Sequence, residues 1–420
     1  MKYNQKKKKE NIEIFLFIMV MAVFAAVLGV MSLGEKMQPV NQIRKISSGW
    51  YYYDNGKRTE VTLPDTIQAG KGEELILYND GITNLDAGKV VTTRGAQYDL
   101  KIWLGDRPIY EYQDTTFVRN TQMKSKLECA GEIPTDIQNE PLKLIYSNPH
   151  HGKYVLASVY IGTGSAVIAL HLRNSGIVIG IALCFLVLSI ISLLITVYLK
   201  YRQMPDTRFR DVALFLMICA VWLITDSSAI QTYSSHPDML CTISFYMFML
   251  FSVPMLHFAR KIGGLKKERI LDAGIAMFYL NAFIQGLLAY FGVFTFADML
   301  FATHVLLIMW VLIIAALLWK EYRKKPDRSV QIVLIAYMIL LFSGLLSLSL
   351  YWLFEISYYG AIFEFGILVF LVMIIADTVI SLVGKVRYRT EMQAYERLMK
   401  EDWMTGMQSR EPFENLLAEI

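Results

Sequence analysis

Long apolar runs without charged residues recur through most of this chain, and they constrain its fold more than any other feature. An α-helix needs about 20 apolar residues to cross the hydrocarbon core of a bilayer. A helix can cross singly because its backbone polar groups are bonded within the helix. Only 19% of the residues are charged, against about 25% in soluble domains. We therefore predict a multi-pass α-helical membrane protein with spans at 12–33, 175–199, 209–233, 239–260, 269–291, 297–320, 329–354 and 360–384.

Lysine and arginine are distributed unequally between the connections, which predicts the direction of each span because cytoplasmic loops carry the excess. Residues 234–238, 292–296 and 355–359 contain neither type. The chain is therefore expected in the cell membrane with both ends in the cytoplasm. The run 12–33 is expected to be an uncleaved anchor, since a signal-peptide core has only about 7–15 residues; cleavage is the alternative. The basic segments are 2–9, 200–210, 260–269, 320–328 and 385–389.

This layout predicts five parts. A basic tail and anchor helix, 1–34, precede an extracellular domain, 35–174. A seven-helix bundle, 175–384, then leads into a cytoplasmic signalling helix, 385–401, and a terminal segment, 402–420.

The extracellular domain changes to the period-two pattern of β-strands separated by polar turns. Asn55-Gly56 and Gly105-Asp106 lie between strand-like runs, and such dipeptides predict tight hairpins. Many short strands of this kind favour an all-β sandwich or jelly roll. The predicted strands are 50–53, 58–63, 74–78, 98–104, 107–112, 142–147, 154–161 and 166–172.

Four aromatic residues of this domain belong to the types that stack on sugars. They have two interpretations: they fill the core, because aromatic side chains bury readily, or they line one exposed groove that binds a ligand. The second predicts an extracellular small-molecule or carbohydrate ligand. The candidates are Trp50, Trp103, Tyr110 and Tyr112.

The four cysteines form no cluster with each other or with histidine, so no metal site is expected. Cys129 is expected to be a buried free thiol, and a bond to Cys241 is the alternative.

Polar side chains within the predicted spans have two readings as well. They form either a pocket that senses a ligand or movement, or hydrogen bonds that hold the bundle together. Asp272 and Asp377 lie toward the basic connections, where lysine or arginine near the helix ends can pair with them. The candidates for the polar cluster are Asp226, Asn281, Gln285, His304 and Glu364.

The segment after the last span carries an apolar seam. Tyr388, Met392, Tyr395 and Met399 are spaced four, three and four residues apart, which places them on one face of a helix. The seam predicts packing against a second copy of the chain, and a short solvated helix is the alternative.

The terminal segment resembles the start of GGDEF domains, whose pattern is Asp-x-Leu-Thr-Gly-Leu-x-Asn-Arg-x-x-Phe. Asp402, Thr405, Gly406, Arg410 and Phe413 match it. The resemblance implies a diguanylate cyclase, which joins two GTP molecules with Mg²⁺. No catalytic residue of that family lies in this sequence, so no cofactor is expected here, and Mg²⁺ and GTP belong only to a complete domain.

Two positions of this segment depart from the family pattern. Ser409 and Ala418 stand where the family holds guanine with an asparagine and an acidic residue. This departure predicts either poor GTP binding or a degenerate, non-catalytic member of the family.

The order of the parts resembles bacterial seven-transmembrane receptors with diverse intracellular signalling modules. Residues 49–64 and 104–110 resemble their sensor portion. The resemblance implies a receptor that couples an extracellular ligand to cyclic di-GMP synthesis. A non-enzymatic receptor or adaptor and a transporter are the alternatives. The expected partners are membrane lipid, the ligand and a second copy of the chain, and no nucleic acid is expected.

Overall fold

A computed structural model of the protein describes residues 42–70, 72–94, 99–111, 128–136, 140–147, 153–203, 206–227, 230–231, 234, 237–294, 296–353 and 359–400. The chain forms two compact units. Unit 1 comprises Met1–Ile191, Ala213–Pro254 and Ala273–Leu306, and unit 2 comprises Ser192–Val212, Met255–Asp272 and Leu307–Ile420. The predicted anchor 12–33 and the terminal segment 402–420 lie outside the described residues.

Unit 1 begins with a β-rich domain, here called the β domain, whose described strands form three antiparallel sheets. The strand orders are β1-β12-β6-β9, β3-β2-β5-β10-β7-β8 and β11-β4. The strands are β1 Ile43–Ile46, β2 Trp50–Asp54, β3 Lys57–Val61, β4 Asp65–Gln68, β5 Leu75–Asn79, β6 Val90–Arg94, β7 Asp99–Leu104, β8 Arg107–Tyr110, β9 Glu128–Glu132, β10 Leu142–Ser147, β11 Lys153–Leu156 and β12 Val159–Gly162.

The two predicted hairpins are confirmed. Asn55 and Gly56 join β2 to β3 with φ values of 49° and 78°, the positive pair that a tight two-residue hairpin requires. Gly105 joins β7 to β8 with φ of 58°. Local turn chemistry therefore sets the register of both strand pairs.

The three sheets share one apolar core. In β5 and β10 buried residues alternate with less buried ones, because successive side chains of a strand point to opposite faces. The same buried cluster includes Val91 and Ile161 of the first sheet, Leu77 and Leu144 of the second, and Tyr154 of the third.

Two strand predictions are wrong. Residues 154–161 form two strands, β11 and β12, which belong to different sheets. Residues 166–172 are helical, because Thr163 starts a helix by accepting the backbone N–H of Val167 at 3.0 Å. The apolar run 166–172 continues into the next apolar run, and one helix includes both.

Long helices follow the β domain and contribute segments to both units. In the described part of the chain, six helical segments are long and apolar enough to cross a membrane: Gly164–Tyr201, Met239–Ala259, Ile270–Tyr290, Met299–Lys324, Arg328–Leu350 and Ile362–Tyr395. The full helices are α1 Gly164–Tyr201, α2 Arg208–Asp226, α3 Pro237–Leu250, α4 Ser252–Ala259, α5 Ile270–Tyr290, α6 Phe296–Lys324, α7 Arg328–Leu353 and α8 Tyr359–Lys400.

The predicted count of seven spans after the β domain is not confirmed. The helix α2 has 19 residues and carries Arg208, Arg210 and Asp211 at its start and Asp226 at its end. Because these charges make α2 less apolar, α2 is not among the six candidate membrane spans. Pro254 accounts for the break between α3 and α4, because it cannot donate a backbone hydrogen bond to the preceding turn.

Candidate functional site

The predicted ligand aromatics take different environments in the β domain. Trp50 is fully buried in the core, and its indole N–H donates to the carbonyl oxygen of Ile46 at 3.0 Å. Trp103 and Tyr110 are half-buried on the neighbouring strands β7 and β8. Tyr112 lies outside the described residues. Trp50 thus fills the core, and a groove at the other positions stays a prediction.

The two cysteines considered for a bond, Cys129 and Cys241, are both buried, and neither forms a disulfide. The expectation for Cys129 is therefore confirmed, and the alternative disulfide is absent.

Among the predicted polar cluster, the structure brings Asn281 and Gln285 together in unit 1. The side-chain amide of the buried Gln285 donates to Asn281 Oδ1 at 3.0 Å and to the Thr303 hydroxyl at 2.9 Å. The first bond lies within α5, and the second joins α5 to α6, as interhelical hydrogen bonds do in membrane bundles.

The other members of that predicted cluster lie elsewhere. Asp226 accepts a hydrogen bond from the Ser244 hydroxyl at 3.2 Å, and the His304 ring packs edge-on against Phe248 at 5.5 Å. Glu364 belongs to unit 2. A shared sensing pocket for all five residues stays a prediction.

Unit 2 contains a buried charge network centred on Asp206, which is not among the predicted sites. Both carboxylate oxygens of Asp206 accept hydrogen bonds from the Arg208 guanidinium, at 3.2 Å from Nε and 2.9 Å from Nη2. Oδ1 also accepts the backbone N–H of Arg208 at 3.0 Å, one of the orphan donors at the start of α2. Lys385 Nζ of α8 donates to Oδ2 at 2.7 Å. Asp206 therefore joins the start of α2 to α8.

Arg208 extends the network to a second carboxylate on α8. Its Nη1 lies 3.8 Å from Asp377 Oδ2, and both side chains are almost completely buried. The predicted pairing of Asp377 with a base near a helix end is therefore confirmed, as is that of Asp272, which pairs with Arg260.

A neighbouring ion pair lies in the first turn of α2. The buried carboxylate of Asp211 pairs with Lys261, which follows α4. Lys261 Nζ also donates to the carbonyl oxygen of Thr207 at 3.0 Å. The three buried carboxylates Asp206, Asp211 and Asp377 therefore each face a base.

The surroundings shift the pKa values of Asp206 and Lys261. Burial raises the pKa of the Asp206 carboxyl, but the hydrogen bonds from Arg208 and Lys385 outweigh burial and hold the pKa well below its ordinary value. Burial lowers the pKa of the Lys261 ammonium, and its hydrogen bond to Asp211 partly offsets this effect. Asp206 is therefore an ionised partner of its two bases at neutral pH, and among the described residues no group of three potential metal ligands occurs.

Apolar packing supports α8 beside this network. Tyr337 of α7 is fully buried and donates its hydroxyl to the carbonyl oxygen of Met255 at 2.8 Å. Its ring meets Phe370 of α8 edge-on at 5.1 Å. Tyr337 therefore links α4, α7 and α8.

The predicted seam lies farther along α8. Tyr388, Met392 and Tyr395 are 66%, 44% and 67% exposed, whereas the side chain of Met399 lies outside the described residues. The seam is thus an exposed face in the single chain. The residues matching the GGDEF pattern, Asp402 to Phe413, also lie outside the described residues.

The charge network has one sequence signal that was overlooked. Asp206 directly precedes a helix and stands two positions before an arginine, where an aspartate commonly bonds the backbone of the following turn.

In comparisons with known proteins, no protein-family model, no curated protein and no solved structure matches this chain.

Proposed function

We propose that this chain is a multi-pass receptor that couples an extracellular small-molecule or carbohydrate ligand to a cytoplasmic output. In this proposal the β domain is a jelly-roll sandwich outside the cell, α2 is the seventh crossing of the bundle, and both chain ends are cytoplasmic. The basic connections support this direction, because lysine and arginine concentrate on the cytoplasmic side.

The length of α8 is the observation that carries the proposal. The helix has 42 residues, which corresponds to about 63 Å at roughly 1.5 Å per residue. A hydrocarbon core is only about 30 Å thick. The last span and the polar segment with the seam are therefore one continuous helix, and a rotation or shift of the span must move the polar segment with it.

The packing inside unit 1 supports an input from the β domain. One buried apolar cluster includes the β-domain core together with residues of α3, α5 and α6. Close-packed interiors transmit strain, so a ligand that displaces the β-domain core also displaces these helices. The helical members are Cys241, Met249, Ala282, Ala289, Phe296 and Met299.

The proposed output is cyclic di-GMP synthesis by a GGDEF domain in the full-length protein. Its support is the match at Asp402, Thr405, Gly406, Arg410 and Phe413. Such an enzyme needs two GTP half-sites brought together, so the proposal includes a homodimer through the exposed seam. A receptor or adaptor without an enzymatic output is the second candidate, favoured by Ser409 and Ala418.

Cysteine labelling tests the direction of the chain. We expect Lys57→Cys, in the first hairpin, to react with a membrane-impermeant maleimide in intact cells. Arg387→Cys, on the exposed part of α8, should react only after the cells are permeabilised. The parent chain is the control for its native cysteines. Labelling of Lys57→Cys only after permeabilisation would refute the proposed receptor.

Disulfide cross-linking in native membranes tests the dimer. Tyr395→Cys places a thiol on the seam, and Gln393→Cys places one on a different exposed face of α8. We expect rapid cross-linking of two copies through Tyr395→Cys and much slower cross-linking through Gln393→Cys. Equal rates would refute packing through the seam.

The output is tested by the reading frame beyond Ile420 and by the cyclic di-GMP level of cells that express the full product. A Gly-Gly-[Asp/Glu]-Glu-Phe sequence with a raised cyclic di-GMP level supports the cyclase. A reading frame without that sequence favours the non-enzymatic receptor.

A further inference from the structure

Three basic or acidic side chains of α8 face the connection between α1 and α2. Asp377 lies beside Arg208, Lys385 bonds Asp206, and Arg389 donates to the carbonyl oxygens of Arg202 at 3.4 Å and Gln203 at 3.3 Å. We call residues 202–203 and 206–208 of unit 2 the connector. The connector therefore contacts α8 at positions 377, 385 and 389.

The spacing of these contacts constrains how α8 can move. Positions 377, 385 and 389 lie within an arc of about 120° and over about 18 Å along a helix with roughly 3.6 residues per turn. Contacts at several depths on one face fix both the rotation and the axial position of a helix. A rotation of about 30° moves a side-chain tip, roughly 5–6 Å from the axis, by about 3 Å, which is enough to break a 2.7 Å hydrogen bond.

The two side chains of the ion pair between Asp206 and Lys385 differ in exposure. The Asp206 side chain is 4% exposed, whereas the Lys385 side chain is 57% exposed. The Arg208 guanidinium bonds both oxygens of this carboxylate, so we expect the carboxylate to stay in place when Lys385 leaves it. The Lys385 ammonium can leave the Asp206 carboxylate and enter water at a small cost in free energy, because exposed ammonium groups are well hydrated.

We propose that the ion pair between Asp206 and Lys385 is a latch that holds α8 in one rotational position, and that α8 turns only when this pair breaks. The regulatory meaning of the latch rests on the proposed receptor function, since α8 carries the seam. The mechanical part concerns only unit 2 and can be measured without any ligand or output.

The substitution Lys385→Met removes the latch while it keeps a long side chain. Arg387→Met is the matched control, because it removes the same charge from a position two residues away. Arg387 bonds Glu391 of its own helix at 2.8 Å, and that contact does not involve the connector. Asp206→Asn is a second test, because it keeps an acceptor for the backbone N–H of Arg208 but loses the charge.

The experiment measures distances between nitroxide labels by pulsed electron paramagnetic resonance, on the full chain with its native cysteines replaced. Labels at Tyr201→Cys and Thr390→Cys report the position of α8. Labels at Tyr201→Cys and Lys266→Cys report a distance within unit 2 that does not involve α8. In the parent we expect one narrow distance for each pair.

We expect Lys385→Met and Asp206→Asn to shift or widen the first distance by about 3 Å, as worked out above, and to leave the second unchanged. Arg387→Met should leave both unchanged. An unaltered first distance in Lys385→Met would overturn the latch. So would an equal change in Arg387→Met, or a change in both distances, since Lys385 would then support the whole unit. A positive result with no change in cyclic di-GMP output would leave the latch standing and count against the proposed function.

Discussion

Removal of the Asp206 carboxylate is expected to destabilise the protein strongly. The substitution Asp206→Ala deletes every contact of the two oxygens and leaves Arg208, only 9% exposed, without its main partner. Breaking a buried ion pair in this way costs about 3–5 kcal/mol. The lost bond to the backbone N–H of Arg208 adds about 1 kcal/mol, as for other side-chain caps. Asp377 remains 3.8 Å from Arg208 and offsets part of this cost, so we expect about 4 kcal/mol in total.

Two further variants calibrate that value. Asp206→Asn keeps the bond to the backbone N–H of Arg208, so its loss should be smaller than that of Asp206→Ala by about 1 kcal/mol. Asp272→Ala breaks an ion pair with Arg260 whose side chains are 55% and 37% exposed. Surface pairs contribute only about 0–1 kcal/mol, so this variant is the matched control.

The free energy of unfolding is measured for the full chain by titration with dodecyl sulfate in mixed micelles, with loss of helical circular dichroism as the signal. The order of loss should be Asp206→Ala, then Asp206→Asn, then Asp272→Ala. If Asp206→Ala and Asp272→Ala agree within about 1 kcal/mol, the buried network does not stabilise unit 2 and the reasoning fails.

Three further predictions concern the β domain, the bundle and pH. Trp50→Ala should destabilise the β domain by about 3–5 kcal/mol, measured by hydrogen exchange of the strand amides. Tyr53→Ala, at a position 56% exposed, should cost no more than about 1 kcal/mol; equal losses would contradict the assigned core. Gln285→Leu should cost about 1 kcal/mol in the same dodecyl sulfate titration, since its two bonds contribute about 0.6 kcal/mol each, and an unchanged stability would show that the bond to Thr303 does not hold α5 to α6. Burial raises the pKa of Asp206, but hydrogen bonds from its basic partners hold it below the ordinary value. The stabilisation is therefore present above the ordinary pKa of about 3.9 and is lost only as the pH falls through the lowered pKa, so the label distance of α8 should stay constant between about pH 8 and pH 5; a change near pH 6 would contradict this.

Local chemistry explains which parts of the fold the sequence predicted. The Asn55-Gly56 hairpin depends on two adjacent residues with positive φ, and it was found. The run 166–172 was assigned to a strand because short apolar runs do not distinguish strand from helix. The helix there depends on the run that follows it and on the turn at Thr163, which a short window does not include.

The charge network shows why the site was harder to predict. The partners Asp206 and Lys385 are 179 positions apart in the sequence, and no local pattern links them. The basic residues of this region were read only as markers of the cytoplasmic side. Asp377 was expected to pair with some base, but the choice of Arg208 follows from the packing of α8 against the connector.

The ion pairs of α2 have a consequence for biosynthesis. The ion pair between Asp211 and Lys261 can form only after 50 further residues have been translated. The ion pair between Arg208 and Asp377 can form only when α8 has emerged from the ribosome. In the proposed seven-helix bundle α2 crosses the membrane, and until then it carries charges that oppose its transfer from the translocon into lipid. Under that proposal the integration of α2 waits for later segments, and we expect a shortened nascent chain that lacks α8 to integrate this helix poorly.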